Sequence, residues 1–427
     1  MSVTFRGTPS LPTARPPHPK QIQRTAHQDP RRLAISLVEA FAAGQYDLLQ
    51  DPLEEATAAW PRHDADLAKE LVLGTVAWKR LYDALARPFL KRPPPSPLST
   101  ALGLICHQLF ALDRIPHHAA LHATLEALRA EGHAHLVGVG NAVGRKLAAL
   151  RQDERDGAGP LGRLHPDVWP DTPGERHSLP DLLVDDLTPV APEGDPWPDL
   201  VFSQPLCTRT RQGVIAPQDC ILRQIGPWTW WHEAADGLTQ VAEGRVVVQD
   251  AAQGEVVAAI RPRPGELVLD LCAAPGGKAL ALMDAGCRVI AGDVHRERVL
   301  AMAKTPDLAG RCVLQDGRKL ALAAGFDVVL VDAPCSNSGV LARRPEARWR
   351  YTPVNLASLE KVQRSLLEAA APLVAEGGRL VYSTCSLSPR ENQQIAQALP
   401  GWRVLAERLT WPDAWRGGGY VAVLVRI

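Results

Sequence analysis

This 427-residue chain has no CxxC pair among its eight cysteines, Cys106, Cys207, Cys220, Cys272, Cys287, Cys312, Cys335 and Cys385. Neither a disulfide scaffold nor a zinc site is therefore expected, and no metal is assigned. No stretch approaches the roughly 20 apolar residues that span a bilayer. The N-terminus, with Arg6, Pro12, Arg15, Pro16 and Pro17, lacks the apolar core of a signal peptide. A cytoplasmic location with no membrane partner is the expectation. Formal net charge is zero, which argues against an indiscriminate nucleic-acid binder. No internal repeat is evident.

What is present is ordinary for a globular protein: 46% hydrophobic and 22% charged residues, over a length that suggests two or three domains. Charge is uneven, however. Residues 1–32 carry Arg6, Arg15, Lys20, Arg24, Arg31 and Arg32 against Asp29 alone. Residues 1–28 show no period and read as a disordered basic arm. Asp29 and Pro30 then signal a helix start, with Leu33, Leu37 and Phe41 on one face and Gly44 as the stop. Helices are expected from about Ala65 to Ala86, over Leu102–Leu112 and His117–Ala130, and after Gly140, making an all-helical domain over 29–151. Residues 152–199, rich in Pro and Asp, read as a linker or a loosely packed connector. Short β-like pieces follow over 200–253.

From 254 to 427 the pattern alternates strand and helix. Strands are expected at Leu267–Leu271, Arg288–Asp293, Cys312–Gln315, Asp327–Asp332, Arg379–Ser383 and Tyr420–Ile427, with a helix over Ala357–Leu373. The first five place Asp270, Asp293, Asp316, Asp332 and Cys385 along one edge, and open α/β sheets bind ligands at that carboxyl edge. Asp270-Leu-Cys-Ala-Ala-Pro-Gly-Gly-Lys278 is a strand, a glycine turn and a helix start. It is not GxGxxG, so a dinucleotide is the weaker ligand. S-adenosylmethionine suits it better, with ribose hydroxyls for Asp293, adenine near Asp316 and no pyrophosphate to cradle. A lone aspartate would most simply cap a helix; successive strand-end aspartates point to a pocket.

Asp332-Ala-Pro-Cys335 and Ser383-Thr-Cys-Ser386 put two thiols at neighbouring strand ends. A single buried cysteine is usually core packing. A pair beside a methyl-donor pocket suits methylation of a pyrimidine carbon 5, which becomes nucleophilic only after something adds at carbon 6. A thiolate is a soft adding group and a good leaving group. Which cysteine attacks is not decided by spacing. Arg343-Arg-Pro-Glu-Ala-Arg-Trp-Arg350 follows, and Arg343, Arg344, Arg348 and Arg350 are candidate RNA phosphate contacts.

These motifs, with Asp332-Ala-Pro-Cys-Ser-Asn-Ser-Gly-Val340, Tyr382-Ser-Thr-Cys-Ser386 and Glu391-Asn392, resemble the RNA cytosine-5 methyltransferase family. The similarity is to its bacterial ribosomal small-subunit methyltransferase B type. That type carries a helical domain similar to the antitermination factor NusB, which Leu71-Val-Leu-Gly-Thr-Val-Ala-Trp78, Lys91-Arg-Pro-Pro, Leu112-Asp-Arg-Ile-Pro-His117 and Asn141-Ala-Val143 resemble. The resemblance implies an all-α NusB-like RNA-binding domain followed by an α/β Rossmann-like S-adenosylmethionine-dependent methyltransferase domain. It implies Cys385 as nucleophile, Cys335 as helper in product release and Asp332 between cofactor and base. Cys272, Ala273, Ala274, Pro275, Gly276, Gly277, Lys278, Asp293 and Asp316 would line the cofactor pocket. The product would be 5-methylcytosine in 16S ribosomal RNA. Ala279 stands where the family usually has Thr, and Arg416-Gly-Gly-Gly-Tyr420 where it has Asp-Gly-Phe-Phe. The same chemistry on transfer RNA, or a non-catalytic RNA-binding assembly factor, are the alternative readings.

Overall fold

Asp29 caps helix α1 (Pro30–Ala42), accepting the Arg31 N–H at 2.9 Å, and Pro30 occupies the first turn, where no N–H is needed. Leu33 and Leu37 are buried, and Gly44 just past the end has φ +74°. The computed structural model describes residues 29–427 apart from 157–158, 203, 212–219, 233, 243–244 and 321, and apart from the side chains of 235 and 242. The expected basic arm over 1–28 lies outside the described residues. Two compact units divide between Trp169 and Pro170.

The first unit is helical. After α1 come α2 (Gln50–Thr57), α3 (Arg62–Ala77), α4 (Lys79–Ala86), α5 (Ser96–Phe110), α6 (His117–Leu128) and α7 (Val137–Ala148). The single helix expected from Ala65 to Ala86 is two, because Trp78 leaves helical geometry (φ −109°, ψ 14°). Neither Pro nor Gly marks the break, and apolar periodicity reports a face rather than a dihedral angle. Helix α5 is apolar nearly all round and packs against α1, α3, α4, α6 and α7. Each of its fully buried leucines contributes about 1.5–3 kcal/mol of burial.

Residues 152–199, expected as a linker or loosely packed connector, carry buried side chains and short helices, and the boundary between the two units falls within them. Leu161 and Leu164 are buried, the Gln152 N–H bonds the Arg163 carbonyl at 2.9 Å, and Arg155 and Arg163 bond Asp113. That part completes the first unit. In the second unit, helix α8 (Asp181–Leu187) buries Leu183 and Leu187, and Asp186 accepts the Tyr351 hydroxyl at 2.9 Å. Helices this short show no period, so their packing is invisible in the sequence.

A small antiparallel sheet, in order β2-β3-β1-β4, follows from β1 (Cys207–Thr210), β2 (Ile221–Ile225), β3 (Trp228–Trp231) and β4 (Val246–Val248). Next come α9 (Ala251–Ile260), β5 (Leu267–Asp270), α10 (Gly277–Asp284), β6 (Arg288–Asp293), α11 (Arg296–Met302) and β7 (Cys312–Leu314). The chain ends with β8 (Phe326–Asp332), α12 (Pro353–Ala370), β9 (Val374–Thr384), β10 (Trp402–Thr410) and β11 (Gly419–Arg426). They form one sheet in the order β10-β11-β9-β8-β5-β6-β7, parallel from β9 to β7 and antiparallel at β10 and β11. One face packs on Leu366, Leu367 and Ala370 of α12, the other on Val256, Ile260, Leu280, Leu282 and Met302 from α9, α10 and α11. Strand β10 was not expected; it is an edge strand, largely exposed and charged, without the apolar signal of a buried one.

Candidate active site

Parallel strands carry their carboxyl ends to one edge, and the sheet order sets Cys385, Asp332, Asp270, Asp293 and Asp316 along it in that sequence. The loop after β5 is pinned by the Ala273 N–H to the Gly292 carbonyl at 2.8 Å and by the Gly276 N–H to the Ala273 carbonyl at 2.7 Å. Gly276 has φ +108°, and a Cβ there would lie 2.7 Å from Leu308 Cδ1, so only glycine fits without displacement. Gly277 opens α10, which turns Lys278 inward.

Lys278 Nζ bonds Asp332 Oδ2 at 2.7 Å, and the Ser383 hydroxyl donates to Asp332 Oδ1 at 2.6 Å. Burial works against the Lys278 ammonium, but Asp332 and Asp270 outweigh it and hold its pKa above the usual lysine value. Asp270 lies in the row with no exposure, and its oxygens have no well-formed hydrogen bond among the described residues, the Cys272 backbone N–H being a weak donor beside them. Burial, reinforced by the Asp332 charge and opposed by Lys278, pushes its pKa up to about 7. Asp293 is buried, and its Oδ1 accepts the His295 N–H at 2.8 Å. Asp316 differs. Its carboxylate is held by Arg318 at 2.9 and 2.8 Å, which lowers its pKa to about 2. Burial drives the Cys272 thiol well above its usual range, with Asp270 and Asp332 adding to it, so this cysteine is an inert wall of the loop.

The two thiols expected at adjacent strand ends meet: Cys335 Sγ and Cys385 Sγ are 3.2 Å apart. The Cys385 S–H also reaches Asn337 Oδ1 at 3.0 Å. Asn337 sits at φ +61°, a conformation asparagine tolerates and one that marks functional turns. The contact with Cys385, then burial, raises the Cys335 pKa well above the ordinary thiol value. Cys335 is thus held as a thiol, whereas Cys385 is the more exposed of the two.

The arginine cluster divides. Arg348 is 1% exposed, and its guanidinium donates to the carbonyls of Pro345 and Ser178 at 3.0 and 3.1 Å; burial lowers its pKa to about 9. It is a framework residue, which corrects its assignment to RNA. Arg343 pairs with the buried carboxylate of Asp250. Arg344 and Arg350 are exposed. The sequence did not single out Asn337 or Ser383 for the site, and it gave Glu391 no role. Their signal was proximity to the thiols in sequence, without the cross-strand contacts that give it meaning.

Residues 257–409 match the model of the 16S rRNA methyltransferase RsmB/F family, and residues 28–149 match the NusB family. The probable ribosomal RNA small subunit methyltransferase B of Synechocystis sp. is 32% identical, over 82% of this chain and 84% of that protein. The ribosomal RNA small subunit methyltransferase B of Erwinia tasmaniensis is 31% identical, over 86% and 89%. Among solved structures, PH0851 is similar with a TM-score of 0.68 at 20% identity, over 98% of this chain and all of that one. A methyltransferase homolog protein from Pyrococcus horikoshii is similar at 22% identity with a TM-score of 0.50, over 60% and 98%.

Proposed function

We propose, from the premise that this chain belongs to the RsmB/F family of 16S rRNA methyltransferases, that it makes 5-methylcytosine in small-subunit ribosomal RNA. The observation that carries the reading is the 3.2 Å contact between Cys335 and Cys385 beside Asp332. An rRNA methyltransferase acting on a base nitrogen or a ribose hydroxyl needs no thiol, let alone a pair. A pyrimidine carbon needs one thiol to add and help to expel it.

The strand-end residues suit S-adenosylmethionine as donor. Gly276 and Gly277 let a ligand approach the backbone, and Asp293, at the end of β6, would take ribose hydroxyls. The Asp332 carboxylate is already answered by Lys278, which leaves the Asp270 carboxyl as the open acceptor at this edge. When bound, the donor supplies an electrophilic methyl on a sulfonium. Asp316, paired with Arg318, would meet the adenine from the end of the row.

The Cys385 sulfur bonds to carbon 6 of the cytosine as its proton passes to nitrogen 3 of the ring. Asp332, held by Lys278 and Ser383, faces the ring edge and stabilises the proton taken up at nitrogen 3. Carbon 5, now enamine-like, takes the methyl group. Its remaining proton leaves to a base, assisted by Cys335, as the bond from Cys385 to carbon 6 breaks and nitrogen 3 gives up its proton. The target nucleotide must leave its stack to reach the thiols. Bisulfite sequencing of small-subunit RNA and of transfer RNA, each incubated with enzyme and donor, tests the reading. One new protected cytosine supports it, whereas protection only in transfer RNA moves the substrate.

A further inference from the structure

Glu391 lies six residues beyond Cys385, is fully buried, and belongs to neither strand end. Its Oε1 accepts the backbone N–H of Ser336 at 2.9 Å and Gln363 Nε2 at 3.0 Å. Its Oε2 accepts the hydroxyls of Ser336 and Ser386 at 2.5 and 2.6 Å. Ser336 is the residue after Cys335, and Ser386 the residue after Cys385. One carboxyl group therefore holds both thiol loops, each a single peptide away from its sulfur.

The Glu391 backbone is anchored too, its carbonyl accepting the Tyr382 hydroxyl at 2.6 Å. Neighbouring Asn392 serves one side only: it accepts from Thr384 Oγ1 at 2.6 Å and donates to the Ser386 carbonyl at 2.9 Å, the two residues flanking Cys385. A buried carboxylate that accepts four hydrogen bonds is costly to perturb, since any donor lost leaves charge unsolvated. That stiffness suits a bracket. A network needed only for folding would not have to join the two residues that follow the reacting groups.

We propose that Glu391 is a positioning residue that fixes the separation of the two thiols. With it, a sulfur that attacks and a sulfur that assists release reach the same ring without a loop movement. This rests on the cytosine reading for its consequence in turnover, but not for the geometry itself.

The geometry is testable without RNA. A trivalent arsenical, phenylarsine oxide, exchanges two S–H bonds for two As–S bonds with loss of one water, and so reports paired thiols. In the full chain, Glu391→Gln should slow formation of the Cys335–Cys385 arsenic bridge, mapped by mass spectrometry, about tenfold. With RNA, kcat should fall at least about thirtyfold with the KM for methyl donor within about twofold, and covalent RNA complex should accumulate because release suffers most. The Ser336→Ala, Ser386→Ala double variant removes two of the four donors while leaving the charge, and should show the same pattern in milder form. Bridge formation and turnover at wild-type rates in both variants would overturn the proposal. Loss of donor binding and of the melting transition in Glu391→Gln, with a wild-type double variant, would overturn it as well. A wild type that bridges normally but protects no cytosine would instead sink the substrate reading and leave the bracket standing.

Discussion

Lys278 Nζ, from the start of α10, and Asp332 Oδ2, from the end of β8, form a 2.7 Å ion pair that ties the glycine loop to the strand carrying the thiol motif. The two sides of the pair are unequally buried, with side-chain exposures of 11% for Lys278 and 28% for Asp332. Asp332→Ala strands a buried ammonium beside Asp270 and should cost about 3–5 kcal/mol of stability. Lys278→Met leaves a carboxylate that water can reach, and about 1–2 kcal/mol is expected. Urea titrations compare the two directly. Equal losses would show that the ammonium, too, is hydrated.

The thiols should fail at different steps when removed. Cys385→Ala forms no covalent RNA complex and transfers no methyl group. Cys335→Ala attacks and methylates but stalls before release. Denaturing gels with a radiolabelled methyl donor should show a slow labelled band in Cys335→Ala alone. A band in Cys385→Ala would reverse the roles.

Asp270 gives stability a specific pH dependence. Its folded pKa of about 7 lies above the unfolded carboxyl value near ~3.9, so the folded state binds the proton more tightly. The contribution is complete below about pH 4 and is lost as pH rises towards 7, to a total on the order of 3–4 kcal/mol. Asp270→Asn, which cannot ionise, should flatten that decline. Parallel denaturation midpoints for the two proteins between pH 4 and 7 would refute the assignment.

Arg344 and Arg350 should behave unlike Arg348. Neutralising the exposed pair should reduce the log-log salt slope of RNA binding by roughly 1.4–1.8, at ~0.7–0.9 per phosphate contact. Arg348→Ala opens a cavity and frees the carbonyls of Pro345 and Ser178, so about 2–4 kcal/mol of stability is lost with the slope unchanged. An altered slope in Arg348→Ala, with stability intact, would return that residue to the RNA surface.

Much of the catalytic half was legible in the sequence because its signals are local. Strands β5, β6 and β8 are apolar stretches that end in aspartate, and β6 spans Arg288–Asp293 as expected. The N-terminal cap at Asp29 is equally local, a matter of one side chain and one proline. Signals failed where residues depend on a distant neighbour. Strand β10 exists because β11 pairs with it, residues 152–199 are structured by partners elsewhere in their own units, and Arg348 is buried by carbonyls at Pro345, His177 and Ser178.

By itself the sequence determined the alternation of strand and helix, the acidic strand ends and the presence of two cysteines in turn-rich motifs. Those follow from propensity and periodicity within a dozen residues. Only the tertiary structure decided that Cys335 and Cys385 touch, that Lys278 answers Asp332, and that Glu391 joins both thiol loops. Residues up to 55 positions apart make those contacts, and the pairing of β8 with β9 is what brings the thiol loops side by side. Hydrogen bonds between them are fixed by sheet register, a property of the folded pair and of neither strand alone.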